Sequence, residues 1–199
     1  MKTWLRMRGL WVAVVLGSIA IFATEPANAA WDAKQLKQVR AATISLRAAI
    51  LTAERDLKGK SFFAAANAGS DGLTYTIRVF NGEKPMMAQV DAKTGRIGES
   101  SPLTGENLAT LKEFAKLKSG LLPAIKAAEA TAKGKSFEAA FKRIGNKLVF
   151  EIDVAGRDDI EKDVLVDALT GKIRKVSERS TDAGSTGGTT SDAGTSPVQ

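Results

Sequence analysis

From Leu46 the apolar positions recur at helical spacing. Leu46, Ala49, Ile50, Ala53 and Leu57 fall at i, i+3, i+4, i+7 and i+11, one stripe of an α-helix. Ser45 precedes them as an N-cap, because its hydroxyl can accept from an orphan N–H of the first turn. Gly59 is expected to end the helix in the left-handed conformation. Leu121, Ala124, Ile125, Ala128 and Ala132 repeat the stripe, with Pro123 in the first turn and Gly134 expected at the end. The alanines let each helix approach a sheet closely. A shorter helix is expected before each, near 32–42 with Leu36 and Val39, and near 106–118 with Leu111 and Phe114. Asp32 and Thr104 are the expected caps.

The period then changes from 3.6 to two. Leu73, Tyr75, Ile77 and Val79 alternate with Thr74, Thr76 and Arg78, while Leu148, Phe150, Ile152 and Val154 alternate with Val149, Glu151 and Asp153. Each run predicts a strand with one buried face. Further strands are expected near 61–68 and 136–144, 86–91 and 163–167, and 96–98 and 172–176. The turns between them are too short for parallel crossovers, so the strands form antiparallel hairpins. The expected fold class is α+β, in two repeated modules over 30–103 and 104–178. Each has N-terminal helices packed on a four-stranded antiparallel sheet.

The modules are written in the same words. Lys58-Gly59-Lys60-Ser61-Phe62 returns as Lys133-Gly134-Lys135-Ser136-Phe137, and Ala53-Glu54 as Ala128-Glu129, both 75 positions on. VDAKTGRI from Val90 returns as VDALTGKI from Val166, 76 positions on, so one residue was inserted between Val154 and Val166. This many matches in one register mark a duplication. In the repeated phrase Asp91, Thr94 and Gly95, and again Asp167, Thr170 and Gly171, are assigned as structural turn residues. The carboxylate accepts from backbone N–H groups ahead of it, and the glycine supplies a positive φ. A catalytic carboxylate pair would need a spacing of about 5–10 Å, and nothing in the pattern makes the two aspartates face each other.

Composition narrows the function. Lys2, Arg6 and Arg8 precede an apolar run from Leu10 to Thr24, and Ala27-Asn28-Ala29 follows it. This order predicts a signal peptide over 1–29 with cleavage between Ala29 and Ala30. The run is shorter than the ~20 residues a membrane-spanning helix needs, so no stable membrane insertion is expected after cleavage. The expected location is periplasmic or secreted. From 179 to 199 the chain is mostly serine, threonine, glycine, alanine and aspartate, and a disordered tail is expected there. The chain has no cysteine and no histidine. That excludes thiolate nucleophiles, zinc clusters, iron–sulfur clusters and histidine-based acid–base chemistry. No cofactor and no catalytic residue is expected. The formal charge of +7 is spread along the chain without aromatic platforms, against a nucleic-acid partner.

A capped amphipathic helix with an Ala-Ile pair, then K-G-K, an alternating strand and V-D-A-x-T-G resembles the PepSY domain. Two copies would cover about 41–98 and 121–176. With the preceding helices the layout is also similar to the tandem architecture of β-lactamase-inhibitor proteins. The PepSY resemblance implies a non-enzymatic exported module that binds and modulates a protein partner, a peptidase or another envelope enzyme. An alternative is an envelope sensor for a small ligand or divalent ion. For that alternative Asp158, Asp159, Glu161 and Asp163 are the calcium candidates. Their spacing is not that of an EF-hand loop, and a solvated hairpin tip is the preferred reading. The copies differ most in their hairpin loops, so Glu83, Lys84, Met86, Arg157 and Asp158 are the expected partner contacts. Phe80 and Val149 are expected to point outward.

Overall fold

The structure is a computed structural model that describes residues 31–158 and 160–179. The expected signal peptide with Ala29 and Ala30, residue Asp159 and the tail from 180 onward lie outside the described residues. Four helices form: α1 (Ala33–Ala41), α2 (Leu46–Leu57), α3 (Leu108–Lys116) and α4 (Leu121–Ala132). Asp32 and Gln35 close a capping box on α1, and the Ser45 hydroxyl accepts from the Ala48 N–H on α2. For α3 the cap is Asn107, not Thr104, and the helix starts later than the sequence pattern predicts. The Asn107 side chain accepts from the Thr110 N–H, and an amide oxygen serves there as well as a hydroxyl. Pro123 falls within the first turn of α4, where no intrahelical N–H is required.

Eight strands follow the helices in two sets of four. They are β1 (Lys60–Gly69), β2 (Gly72–Phe80), β3 (Pro85–Asp91), β4 (Ile97–Pro102), β5 (Gly134–Ile144), β6 (Lys147–Gly156), β7 (Glu161–Asp167) and β8 (Ile173–Arg179). All neighbouring pairs are antiparallel. The expected separate sheets are joined: Phe63, Ala64 and Ala65 pair with Ala140, Ala139 and Glu138, giving one sheet in the order β4-β3-β2-β1-β5-β6-β7-β8. Ala64 and Ala139, both fully buried, meet at the centre. Leu36, Leu46, Ile50, Phe114, Leu121 and Ile125 of the helices share one core with Ile77, Val90, Ile152 and Val164 of the strands. Among the described residues no helix is long and apolar enough to cross a membrane.

Both repeated glycines have a different role from the one the sequence suggests. The left-handed residues ending α2 and α4 are Lys58 (φ 53°) and Lys133 (φ 54°). Gly59 and Gly134 are required for space. A β-carbon on Gly134 would lie 2.2 Å from the Ala155 carbonyl oxygen, and one on Gly59 would lie 2.7 Å from that of Phe80.

The rest of the phrase K-G-K-S-F also finds its reason. A register shift falls between Ser61 and Phe63 in β1, and between Ser136 and Glu138 in β5. Each shift is a β-bulge, which removes a backbone N–H from the regular ladder. Glu54 accepts from the Ser61 N–H at 2.8 Å, and Glu129 from the Ser136 N–H at 3.0 Å. The repeated glutamate at the end of each long helix thus serves the bulge of the strand that follows. The second lysine of the phrase reaches across the molecule. Lys60 Nζ donates to the Leu117 carbonyl at the end of α3, and Lys135 Nζ to the Arg40 carbonyl in the last turn of α1, both at 2.7 Å. Each half therefore caps the short helix of the other with a cation, where the helix dipole favours one.

By alternation with Val79 and Phe150, Phe80 and Val149 fall on the side of the sheet that carries Arg78 and Glu151, as expected, but both are covered rather than free contacts. They are only 3% and 2% exposed.

Candidate functional site on the polar face of the sheet

Residues directly paired across antiparallel strands point to the same side. Ala64, Ile77, Ala88, Ala139, Ile152 and Val164 form one buried face by this rule. Their neighbours form the other face. On β1–β3 it carries Phe63, Ala65, Thr76, Arg78, Met87 and Gln89; on β5–β7 it carries Glu138, Lys142, Glu151, Asp153, Asp163 and Leu165.

The offsets at which the two halves of the sequence match set these positions over one another. At the offset of 75, Phe63 corresponds to Glu138, Thr76 to Glu151 and Arg78 to Asp153; at the offset of 76, Met87 corresponds to Asp163. In the first half the Arg78 guanidinium lies 4.5 Å from the centroid of the Phe63 ring and 3.4 Å from the Glu106 carboxylate. In the second half carboxylates take over. Asp153 stands directly opposite Glu138 on one side and Asp163 on the other. Ligand oxygens of Glu151, Asp153 and Asp163 lie within 4.8 Å of one another. Burial, then the nearby Glu138, push the Asp153 carboxyl up to about 8. Burial and Glu151 raise that of Asp163. Lys142 pairs with Glu151 at 2.5 Å, and Arg179 lies 3.6 Å from Asp153.

The three calcium candidates among the described residues are not brought together around one point. Asp158 sits at the hairpin tip and pairs with Lys162 at 2.7 Å. Glu161 is fully buried; it pairs with Arg179 and accepts from the Trp31 N–H at 3.1 Å. Asp163 faces Glu151 and Asp153 instead. Asp159 lies outside the described residues.

The partner-contact candidates are also split. Asn81 Oδ1 accepts from the N–H groups of Glu83 and Lys84, turning the loop between β2 and β3. Arg157 and Asp158 occupy the loop between β6 and β7. Because β1 and β5 run antiparallel, these loops lie at opposite ends of the sheet. Arg157 lines a cleft of about 390 Å³ with Arg40, Lys133 and Lys135. Met86 pairs with Val79 and so shares the core face, half-buried; Met87 is the methionine on the polar face.

The repeated phrase builds the same turn twice. Asp91 Oδ1 accepts from the Thr94 N–H (2.6 Å) and hydroxyl (2.8 Å), and Asp167 Oδ1 from those of Thr170 (2.7 and 2.9 Å). Gly95 and Gly171 take φ of 73° and 69°. These hydrogen bonds hold both carboxyls below the usual range, with Arg174 adding to the effect at Asp167. The two aspartates end β3 and β7, five strand positions apart and at opposite ends of the sheet, so more than roughly 24 Å separates them. That separation is too wide for paired acid–base catalysis.

The acidic cluster escaped the sequence reading, although its signal was present. Glu151 and Asp153 occupy alternate positions of a strand whose first copy carries Thr76 and Arg78 there.

Residues 124–177 match the family model described as the peptidase propeptide and YPEB domain, PepSY. A PepSY domain therefore covers most of α4 and all of β5 to β7, and β8 as far as Ser177. No curated protein sequence matches the chain. Two solved structures are similar at 19% identity. One is a candidate lipoprotein from Clostridium difficile 630, with a TM-score of 0.43 over 69% of this chain and 95% of that one. The other is the YpmB protein from Bacillus subtilis, with a TM-score of 0.32 over 58% of this chain and 82% of that one.

Proposed function

We propose that the chain is an exported, non-enzymatic binding protein made of two PepSY-like modules, over 30–103 and 104–178, that modulates a peptidase or another envelope enzyme. The observation that carries this reading is the polar face of the joined sheet. It runs unbroken across the β1–β5 pairing, and its chemistry changes from Arg78, Phe63 and Met87 to a group of carboxylates. A duplicated scaffold whose two halves keep their turns and differ on one shared face is suited to reading an asymmetric protein surface. The PepSY match over 124–177 supports a propeptide-like or regulatory role. The absence of histidine and cysteine from the sequence supports a role without catalysis. Glu83, Lys84, Arg157 and Asp158 would frame the contact at the two ends of the sheet.

The test is inhibition. Purified protein is titrated at micromolar concentration against secreted metallopeptidases and envelope extracts, with peptide hydrolysis as the readout. The reading expects dose-dependent inhibition of at least one activity, weakened about tenfold or more by Arg78→Glu, since a buried interfacial arginine commonly contributes that much. No inhibition and no complex at micromolar protein would overturn it.

A further inference from the structure

Glu151, Asp153 and Asp163 gather three carboxylates on adjacent strands, a costly arrangement for side chains directly opposite one another. Asp153 is only 8% exposed, and its Oδ1 is buried without a hydrogen-bond partner. Asp163 Oδ1 is in the same condition. A buried carboxylate oxygen left unpaired carries the full cost of its desolvation. Five carboxylates surround this point (Glu138, Glu151, Asp153, Glu161 and Asp163), and three cations face them (Lys142, Lys175 and Arg179). The formal surplus is two negative charges. Arg179 does not fill the gap, because it pairs more closely with Glu161 than with Asp153.

We propose that this cluster is a binding site for one divalent cation of the calcium type, held by Glu151, Asp153 and Asp163 on the polar face of β6 and β7. The ligand oxygens lie within 4.8 Å of one another. Two oxygens bound to one calcium at 2.3–2.6 Å are separated by at most about 5 Å, so a single ion can touch all three. Glu151 and Asp163 are half-buried rather than sealed. Water can therefore complete the coordination shell, as a hard cation with only three protein ligands requires. The charge of the ion matches the local surplus. The first half cannot form such a site, since Thr76, Arg78 and Met87 stand at the corresponding positions. Three carboxylates with water predict a dissociation constant of ~0.1–1 mM, in the range of extracellular modules. The site is independent of the docking reading above, because its titration needs no partner.

Calorimetric titration of the purified full chain with calcium, at near-neutral pH after chelator treatment, tests the proposal. One site per chain and a rise in Tm of roughly 5 °C at 10 mM calcium are expected. Asp153→Asn should abolish both effects, while its ion-free Tm equals or exceeds that of the parent, because a buried like-charge contact is gone. Glu151→Gln, half-exposed and easily accommodated, should weaken binding at least tenfold. Asp158→Asn, at the hairpin tip, should leave the affinity unchanged. The proposal is overturned if calcium, magnesium and manganese give neither heat nor a Tm shift up to 10 mM, in which case a proton neutralises the cluster. It is equally overturned if calcium binding survives Asp153→Asn.

Discussion

Lys133 and Gly134 are neighbours with opposite demands. Lys133 holds a left-handed backbone that costs a residue with a β-carbon about 1–2 kcal/mol. Lys133→Gly should therefore stabilise the fold by about 0.5 kcal/mol, part of the relief being lost to the freer unfolded chain. Gly134→Ala should destabilise it by about 3 kcal/mol, because the new methyl meets a fixed carbonyl at 2.2 Å. Urea unfolding of both variants reads the two signs; equal effects would contradict this assignment. That a glycine is needed here was legible from the repeat. The reason was not, since Ala155 lies 21 positions further along the chain. The turn aspartates make a second contrast. Asp167 Oδ2 also accepts from the Arg174 guanidinium, whereas Gly98 stands at the matching position beside Asp91. The carboxyl of Asp167 is depressed by its backbone bonds to Thr170, then by Arg174. Its contribution is present above the ordinary aspartate value of about 3.9 and is lost as pH falls through its own lower value. Asp167→Asn should thus cost more stability at pH 7 than Asp91→Asn. The gap between Asp167→Asn and the parent should narrow on acidification, as Tm measured from pH 7 to pH 2 would show.

At the scale of the element, the helix stripes and strand alternation already marked which residues enter the core. Leu46, Ala49, Ile50 and Ala53 are all buried, as are Tyr75, Ile77 and Val79. The bulges were not legible, because a bulge is a relation between two strands and leaves the period of either one nearly intact. Only the recurrence of Glu54 and Glu129, seven residues before the serines they serve, hinted at it. Glu129→Ala removes the acceptor of both the Ser136 N–H and the Ser136 hydroxyl. A loss of about 2 kcal/mol is expected, since two part-buried donors lose their carboxylate partner. Ser45→Ala removes a single cap, and about 1 kcal/mol is expected. Chemical denaturation of the two variants side by side checks the order; a costlier Ser45→Ala would show that Glu129 does not hold the bulge.

For the whole molecule the decisive contact is the one that joins the halves. Hydrophobic pattern and repeat together describe each half well, yet neither says which strand edge meets which. That choice falls to small residues, with Ala64 against Ala139 at the junction. It is reinforced by Lys60 and Lys135, each capping a helix of the opposite half. The sequence placed the function in the hairpin loops, where the copies differ in length. The joined sheet adds a second region of difference, its polar face, and puts the two loops at opposite ends of it. That shared face exists only if β1 and β5 pair in solution. The chain contains no cysteine, so an introduced pair reports without background. Ala65 and Glu138 are direct partners across β1 and β5, and paired residues lie about 4.5–5.5 Å apart, within disulfide reach. In Ala65→Cys/Glu138→Cys, mild oxidation should form an intramolecular disulfide in nearly every molecule. In Asn67→Cys/Lys142→Cys, displaced along the same strands by roughly 20 Å, it should form none. Free thiols persisting in the first variant, or equal cross-linking in both, would contradict a single sheet and with it the shared face.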